Sequence, residues 1–161
     1  MKNLRTIVRG LIAGAIALTA LLAAAPAAHA DTVTCQVIEI EASTTDAPAI
    51  DGALKPLERK LRKPPFSSWN TFKQLGSQGV SLETMKPASA GLVLGKATLL
   101  LREVTTAGGK KTRLALGVAL DDDGGTRRLD TKVSVDAGDY LLVGRSLPAN
   151  KGHVVALTCT P

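Results

Sequence analysis

The chain has 161 residues, with 20 Lys and Arg against 14 Asp and Glu and a formal net charge of +6. Its only aromatics are Phe66, Trp69, Phe72 and Tyr140, too few for the stacking platforms that hold single-stranded nucleic acid, and two Cys cannot build a four-cysteine zinc site. Lys2, Arg5 and Arg9 fall in the first ten residues; taking these three from the 20 leaves 17 cations against 14 acids, which weakens a nucleic-acid reading drawn from charge.

Residues 1–30 have the layout of a secretory signal peptide. Residues 1–10 are cationic and lack acids, and residues 11–25 are apolar apart from Thr19. That run is shorter than the about 20 residues a spanning helix needs. Pro26 ends it, and Ala28-His29-Ala30 places small residues for cleavage between Ala30 and Asp31. Cys35 lies past that cut and follows Thr32-Val33-Thr34, so no lipid anchor is expected. The expectation is Sec-type export by a bacterium, to the periplasm or beyond. A soluble mature domain, residues 31–161, has no transmembrane span and is long enough for one core.

Residues 31–42 are β-rich. Val33, Cys35 and Val37 alternate, then the phase slips to Ile38 and Ile40, which calls for a bulge or for burial on both faces. Residues 43–50 have no period and read as loop. One short helix is expected near residues 54–63. Asp51 caps it, Leu54, Leu57 and Leu61 form an apolar stripe, Pro56 is tolerated in the first turn, and Pro64-Pro65 stops it. Residues 80–85 read as a strand. Residues 92–106 bend at Gly95 and run as a strand from 97 to 106. Residues 107–110 form a hairpin loop, and residues 112–121 return. Asp122-Asp123-Gly124-Gly125 turns the chain into residues 127–136, where Leu129, Thr131, Val133 and Val135 alternate with polar residues. Residues 140–145 and 153–160 complete an all-β domain, an antiparallel sandwich or barrel of about seven or eight strands.

The run Leu57, Leu61, Pro64-Pro65-Phe66-Ser67-Ser68-Trp69-Asn70-Thr71-Phe72-Lys73 resembles a pattern in a family of small exported bacterial proteins of unknown function. In them a short helix leads into a PPF-x-x-aromatic-x-x-F motif followed by a β-rich half. Gly138-Asp139-Tyr140-Leu141-Leu142-Val143-Gly144 is similar to their late Gly-x-x-Leu-Leu-Val-Gly element. The resemblance covers most of residues 50–158 and implies the fold, with no activity attached. The chain departs from the pattern in having Cys35 and Cys159 and in lacking a double Gly near residue 151.

Phe66, Trp69 and Phe72, with Leu75, recur every three residues. They are expected as core aromatics where helix meets sheet, in preference to an exposed grip on a ligand. Lys55, Arg59, Lys60, Arg62 and Lys63 exceed what one helix dipole needs. Arg59, Lys60, Arg62 and Lys63 are the candidate contact with an anionic surface, the alternative being a solvated face. Asp121-Asp122-Asp123-Gly124-Gly125 lacks the acid alternation and final Glu of a calcium loop. It reads as an acidic hairpin tip, with a looser cation site on Asp121 and Asp123 as the alternative. His153, the only His past the leader, has no G-x-S-x-G or S-x-x-K in the chain to work with. Gly108-Gly109-Lys110-Lys111 precedes a strand and so is no phosphate loop. No catalytic residue, metal ligand or cofactor is expected.

The leading reading is therefore a non-enzymatic binding module of the bacterial envelope. Its expected partner is another macromolecule or an envelope polymer, not nucleic acid. Glycoside hydrolysis needs only two carboxylates, so Glu39, Glu41, Glu58, Glu83 and Glu103 leave an envelope-polymer hydrolase as an alternative, and a secreted inhibitor is a third. Export places Cys35 and Cys159 in an oxidising compartment. Both share the phase of apolar neighbours on the first and last strands. A structural disulfide between them is expected, against free buried thiols or an intermolecular bridge.

Overall fold

The computed structural model describes residues 32–106 and 111–161; the expected leader with its cleavage site at Ala30 and Asp31, and the hairpin loop of residues 107–110, lie outside the described residues. Among the described residues there are nine strands: β1 (Thr32–Ser43), β2 (Ala49–Ile50), β3 (Thr71–Glu83), β4 (Pro87–Leu92), β5 (Gly95–Thr105), β6 (Arg113–Asp121), β7 (Arg127–Asp136), β8 (Tyr140–Leu147) and β9 (Lys151–Thr160). They make a five-stranded sheet ordered β2-β3-β1-β9-β8 and a four-stranded sheet ordered β4-β5-β6-β7. The two-residue β2 pairs in parallel with β3, a single parallel bridge joins Thr84 to Leu101, and the other described strand pairs are antiparallel. The fold is the expected all-β sandwich, with nine strands in place of seven or eight.

Three expectations need correction. β3 starts at Thr71, well before residue 80. Its first half, Lys73-Gln74-Leu75-Gly76-Ser77-Gln78-Gly79, lacks an apolar alternation because it lies near the sheet edge and is only partly buried. Residues 87–92 form their own strand, and the loop of residues 43–50 ends in β2. The expected helix is mostly a 3-10 turn, Gly52–Leu57, followed by one α-helical turn, α1 (Glu58–Leu61). Pro56 lies inside the 3-10 segment, where it lacks a donor N–H. Asp51 accepts from the Ala53 N–H at its start.

Two cores result. Val33, Cys35 and Val37 of β1 face the four-stranded sheet, packing with Leu82, Leu99, Leu101, Leu114, Leu116, Leu120 and Leu157. Ile38, Ile40 and Ala42 belong to a second core on the opposite face, with Leu54, Leu57, Leu61, Phe72 and Val154. Residues 37–40 are all buried, and the β1–β3 register shifts between Glu39 and Ile40. The apparent phase slip therefore reflects burial on two faces of a regularly alternating β1, and the extra residue at the register shift, Leu75, lies on β3.

The aromatic run closes the second core. Phe72 is buried, and Phe66 and Trp69 are half-buried against it. Gly144 and Gly152 make room. A Cβ at 144 meets the Phe66 ring at 3.3 Å, and one at 152 meets the Trp69 ring at 2.5 Å. Gly95 is needed for a different reason: its φ is +134° and a Cβ there would overlap the Asp121 carbonyl.

Cys35 faces Cys159 across β1 and β9, with Cα atoms 4.0 Å apart, and the two are joined in a buried disulfide. Among the described residues no helix is long and apolar enough to cross a membrane.

Two outcomes follow from this packing. Gly152→Ala is expected to lose about 1–3 kcal/mol in urea melts through overpacking against Trp69. Gly76→Ala, whose Cβ meets nothing within 4 Å, should stay within about 0.5 kcal/mol of the parent; equal losses would contradict the close approach at Trp69. Denatured protein should take up no alkylating reagent until reduced, and the double variant Cys35→Ala/Cys159→Ala should lose roughly 2–5 kcal/mol.

Candidate functional site

The helical cover, residues 52–61, lies over part of the outer face of the five-stranded sheet. Leu54, Leu57 and Leu61 point into the second core, so Lys55, Arg59, Lys60, Arg62 and Lys63 are all exposed. The structure separates these cations. Arg62 pairs with Glu58, Nη2 to Oε1 2.7 Å. Lys60 Nζ donates to the Tyr140 carbonyl on the edge strand β8. Lys55, Arg59 and Lys63 have no ion-pair partner among the described residues. The expected contact set of Arg59, Lys60, Arg62 and Lys63 thus contains one neutralised cation. Lys55 joins it in place of Arg62.

Beyond the cover the same sheet face changes character. Strand register sets out two rows: Ser81, Thr34 and Thr160; then Gly79, Gln36, Thr158 and Tyr140. Ser77 follows beside Ile38, and Gln36 Nε2 donates to its hydroxyl at 3.1 Å. These side chains point outward because Val33, Cys35, Val37, Leu82 and Leu157 on the alternate positions point in. The rows contain no charged side chain. This face was not singled out from the sequence, because Ser77 is placed only once β3 is known to begin at Thr71.

A buried polar cluster sits on the opposite face of β1. Glu39 and His153 are both buried, with Glu39 Oε1 2.9 Å from His153 Nε2. The contact is a polar one between two buried side chains, and Nδ1 has no hydrogen-bond partner among the described residues. Glu39 also accepts from the Val93 N–H at 2.6 Å and the Leu94 N–H at 2.9 Å. Arg145 Nη2 donates to the Leu94 carbonyl at 3.3 Å. Burial pushes the Glu39 carboxyl up, but His153 and the two backbone N–H groups outweigh it and hold it below the ordinary carboxylate value. The cluster ties the β4–β5 turn to the five-stranded sheet. Beside it a hollow of about 250 Å³ is bounded by Glu39, Gly76, Ser77 and Gly91.

Two of the three acids of the hairpin, Asp121 and Asp122, are ion-paired, and Asp123 is exposed. Asp121 is buried between Arg127 and Lys96. Asp122 accepts from the Thr126 N–H at 2.8 Å and from Arg128 at 2.6 Å. Those two bonds, Thr126 first, hold its carboxyl below the usual range. The looser cation site needed Asp121, and its carboxylate is already taken. Among the described residues no group of three or more His, Cys, Asp or Glu is placed to hold a metal ion. The remaining glutamates are engaged locally: Glu41 by Lys151, Glu58 by Arg62, Glu83 by Lys86, and Glu103 by the Thr105 hydroxyl.

No protein-family model matches the chain, and no curated protein matches it in sequence.

Because the Glu39 carboxyl is depressed in the folded state, its contribution is fully present above the ordinary value of 4.5. It is lost as pH falls below that through the lower folded value. Glu39→Gln should therefore cost about 1–3 kcal/mol near neutral pH and should flatten the acid limb of stability in urea melts. An equal loss at pH 7 and well below 4.5 would show that the carboxylate charge plays no part.

Proposed function

We propose that the protein is an exported, non-enzymatic binding module of the bacterial envelope, held by charge on an anionic polymer or surface. One observation carries the reading. The cover has buried its leucines, so Lys55, Arg59 and Lys63 serve no ion pair among the described residues, yet they stand exposed with Lys60 on one short segment. Like charges crowded on so short a segment repel one another and add nothing to the fold, yet together they raise the local concentration of anions. The signal-like layout of residues 1–30 and the Cys35–Cys159 disulfide support export, to the periplasm or the cell exterior.

At low ionic strength the exported, processed protein should be retained on phosphatidylglycerol vesicles and on alginate beads. It should be released as salt shortens the screening length to about 10 Å at 0.1 M. Lys55→Gln/Arg59→Gln/Lys63→Gln should abolish most of this retention, while Glu58→Gln/Arg62→Gln, which removes a paired acid and base together, should change it little. Passage of the wild type through both matrices at low salt would retire the reading. Pull-down from the envelope fraction of the producing cell then identifies the partner.

A further inference from the structure

We infer that the uncovered polar half of the five-stranded sheet is a subsite for the sugar hydroxyls of an extended acidic polysaccharide, whose acid groups lie against the cations of the helical cover. The inference rests on the charge-docking reading above and names its ligand class.

The chemistry of the face selects the ligand. Thr34, Gln36, Ser77, Ser81, Thr158 and Thr160 each carry both donor and acceptor capacity. All but Thr158, which is half-buried, are exposed. A sugar hydroxyl has the same dual character, and water fills the mismatches at little cost. The strands fix the spacing. Neighbouring positions across the sheet stand about 4.8 Å apart, and same-face positions along a strand about 6.6 Å apart, so the groups form a flat grid. Gly79 leaves one grid position open, with nothing within 4 Å of where its Cβ would be.

Charge complementarity places the acid. Lys60 Nζ bonds the carbonyl of Tyr140, the last residue of the row Gly79, Gln36, Thr158 and Tyr140. The edge of the cationic cover thus meets the end of a hydroxyl row. A polymer crossing the face passes from neutral hydrogen-bonding groups to positive charge.

The same features disfavour a folded protein as occupant. Protein interfaces depend on a desolvated core with aromatic or aliphatic anchors. Tyr140, the one aromatic in the rows, is half-buried against the second core, and among the described residues the large exposed hydrophobics, Met85 and Val93, belong to neither row. Lipid headgroups would use the cations but give the hydroxyl grid no role.

The test compares alginate, neutral dextran and phosphatidylglycerol vesicles, each titrated against salt with the exported, processed protein. Thr34→Ala/Gln36→Ala/Thr160→Ala keeps every charge. It should weaken alginate binding roughly tenfold while leaving vesicle retention unchanged. The slope of log affinity against log salt should also stay unchanged, since that slope counts neutralised anions. Lys55→Gln/Arg59→Gln/Lys63→Gln should lower the slope on both matrices. Dextran should bind more weakly than alginate. Thermal melts and alkylation confirm that the alanine variant is folded and oxidised; should it not be, Ser81→Ala and Thr160→Ala singly are each expected to weaken alginate a few-fold.

An alanine variant that binds alginate as well as wild type overturns the subsite and leaves charge docking standing. Equal loss on alginate and vesicles overturns it as well. A wild-type dimer in sedimentation that the alanine variant dissolves would make the face an interface between copies. Wild type that binds neither matrix at low salt removes both readings together.

Discussion

β1 and β9 lie side by side in the middle of the five-stranded sheet, and both are pressed from two sides. Much of the molecule follows from that constraint. The inner face is covered by a whole second sheet. Among the described residues the outer face is covered by two 3-10 segments, Gly52–Leu57 and Phe66–Ser68, one α-helical turn and the Phe66, Trp69 and Phe72 rings. A strand buried on both sides must be apolar at successive positions, and β1 obeys this from Val37 to Ile40 except at Glu39. Where the cover stops, the outward positions become Gln36 and Thr34. The same squeeze demands glycine at 144 and 152, where aromatic rings lie directly on the backbone.

Glu39 and the disulfide's Cys35 are inward positions on one strand, either side of Val37, with different jobs. Cys35 joins β1 covalently to β9 within one sheet. Four residues on, Glu39 reaches across to the β4–β5 turn and holds the two sheets in register at their end. The exposed pairs at the rim, such as Arg62 with Glu58 and Lys86 with Glu83, are screened and contribute little. Removing one member of the buried pair leaves a charge or a polar group stranded in the interior, which is far more costly.

The parts legible in the sequence are those fixed by local pattern. Leu129, Thr131, Val133 and Val135 mark β7 to the residue, and Cys35 and Cys159 share the inward phase of Val33 and Leu157. β3 was half hidden because Gly76, Gln78 and Gly79 carry no strand signal; long-range pairing with β1 imposes the conformation. The cations were countable, but their state was not. That Glu58 neutralises Arg62 follows from helical spacing, whereas the Lys60 contact with Tyr140 needs the tertiary fold. Glu39 did carry a signal. It continues the inward phase of Val33, Cys35 and Val37, and an acid in that phase marks a buried carboxylate in need of donors.

The two sheets differ in how far the chain must travel to build them. The four-stranded sheet is a succession of neighbours, β4 to β5 to β6 to β7, each step a hairpin. The centre of the other sheet joins the first described strand to the last, across 124 residues at the disulfide. Local pairs close quickly, and distant ones wait on loop entropy. As the chain is made, β1 therefore stands with one edge open, and Ile38 and Ile40 lack Val154 and Ala156, until β9 arrives. Cys35 has no native partner over that whole interval. Oxidation of the Cys35–Cys159 pair is then a clock for the pairing of β1 with β9, since the bond can form in its native register only after every other described strand has been synthesised.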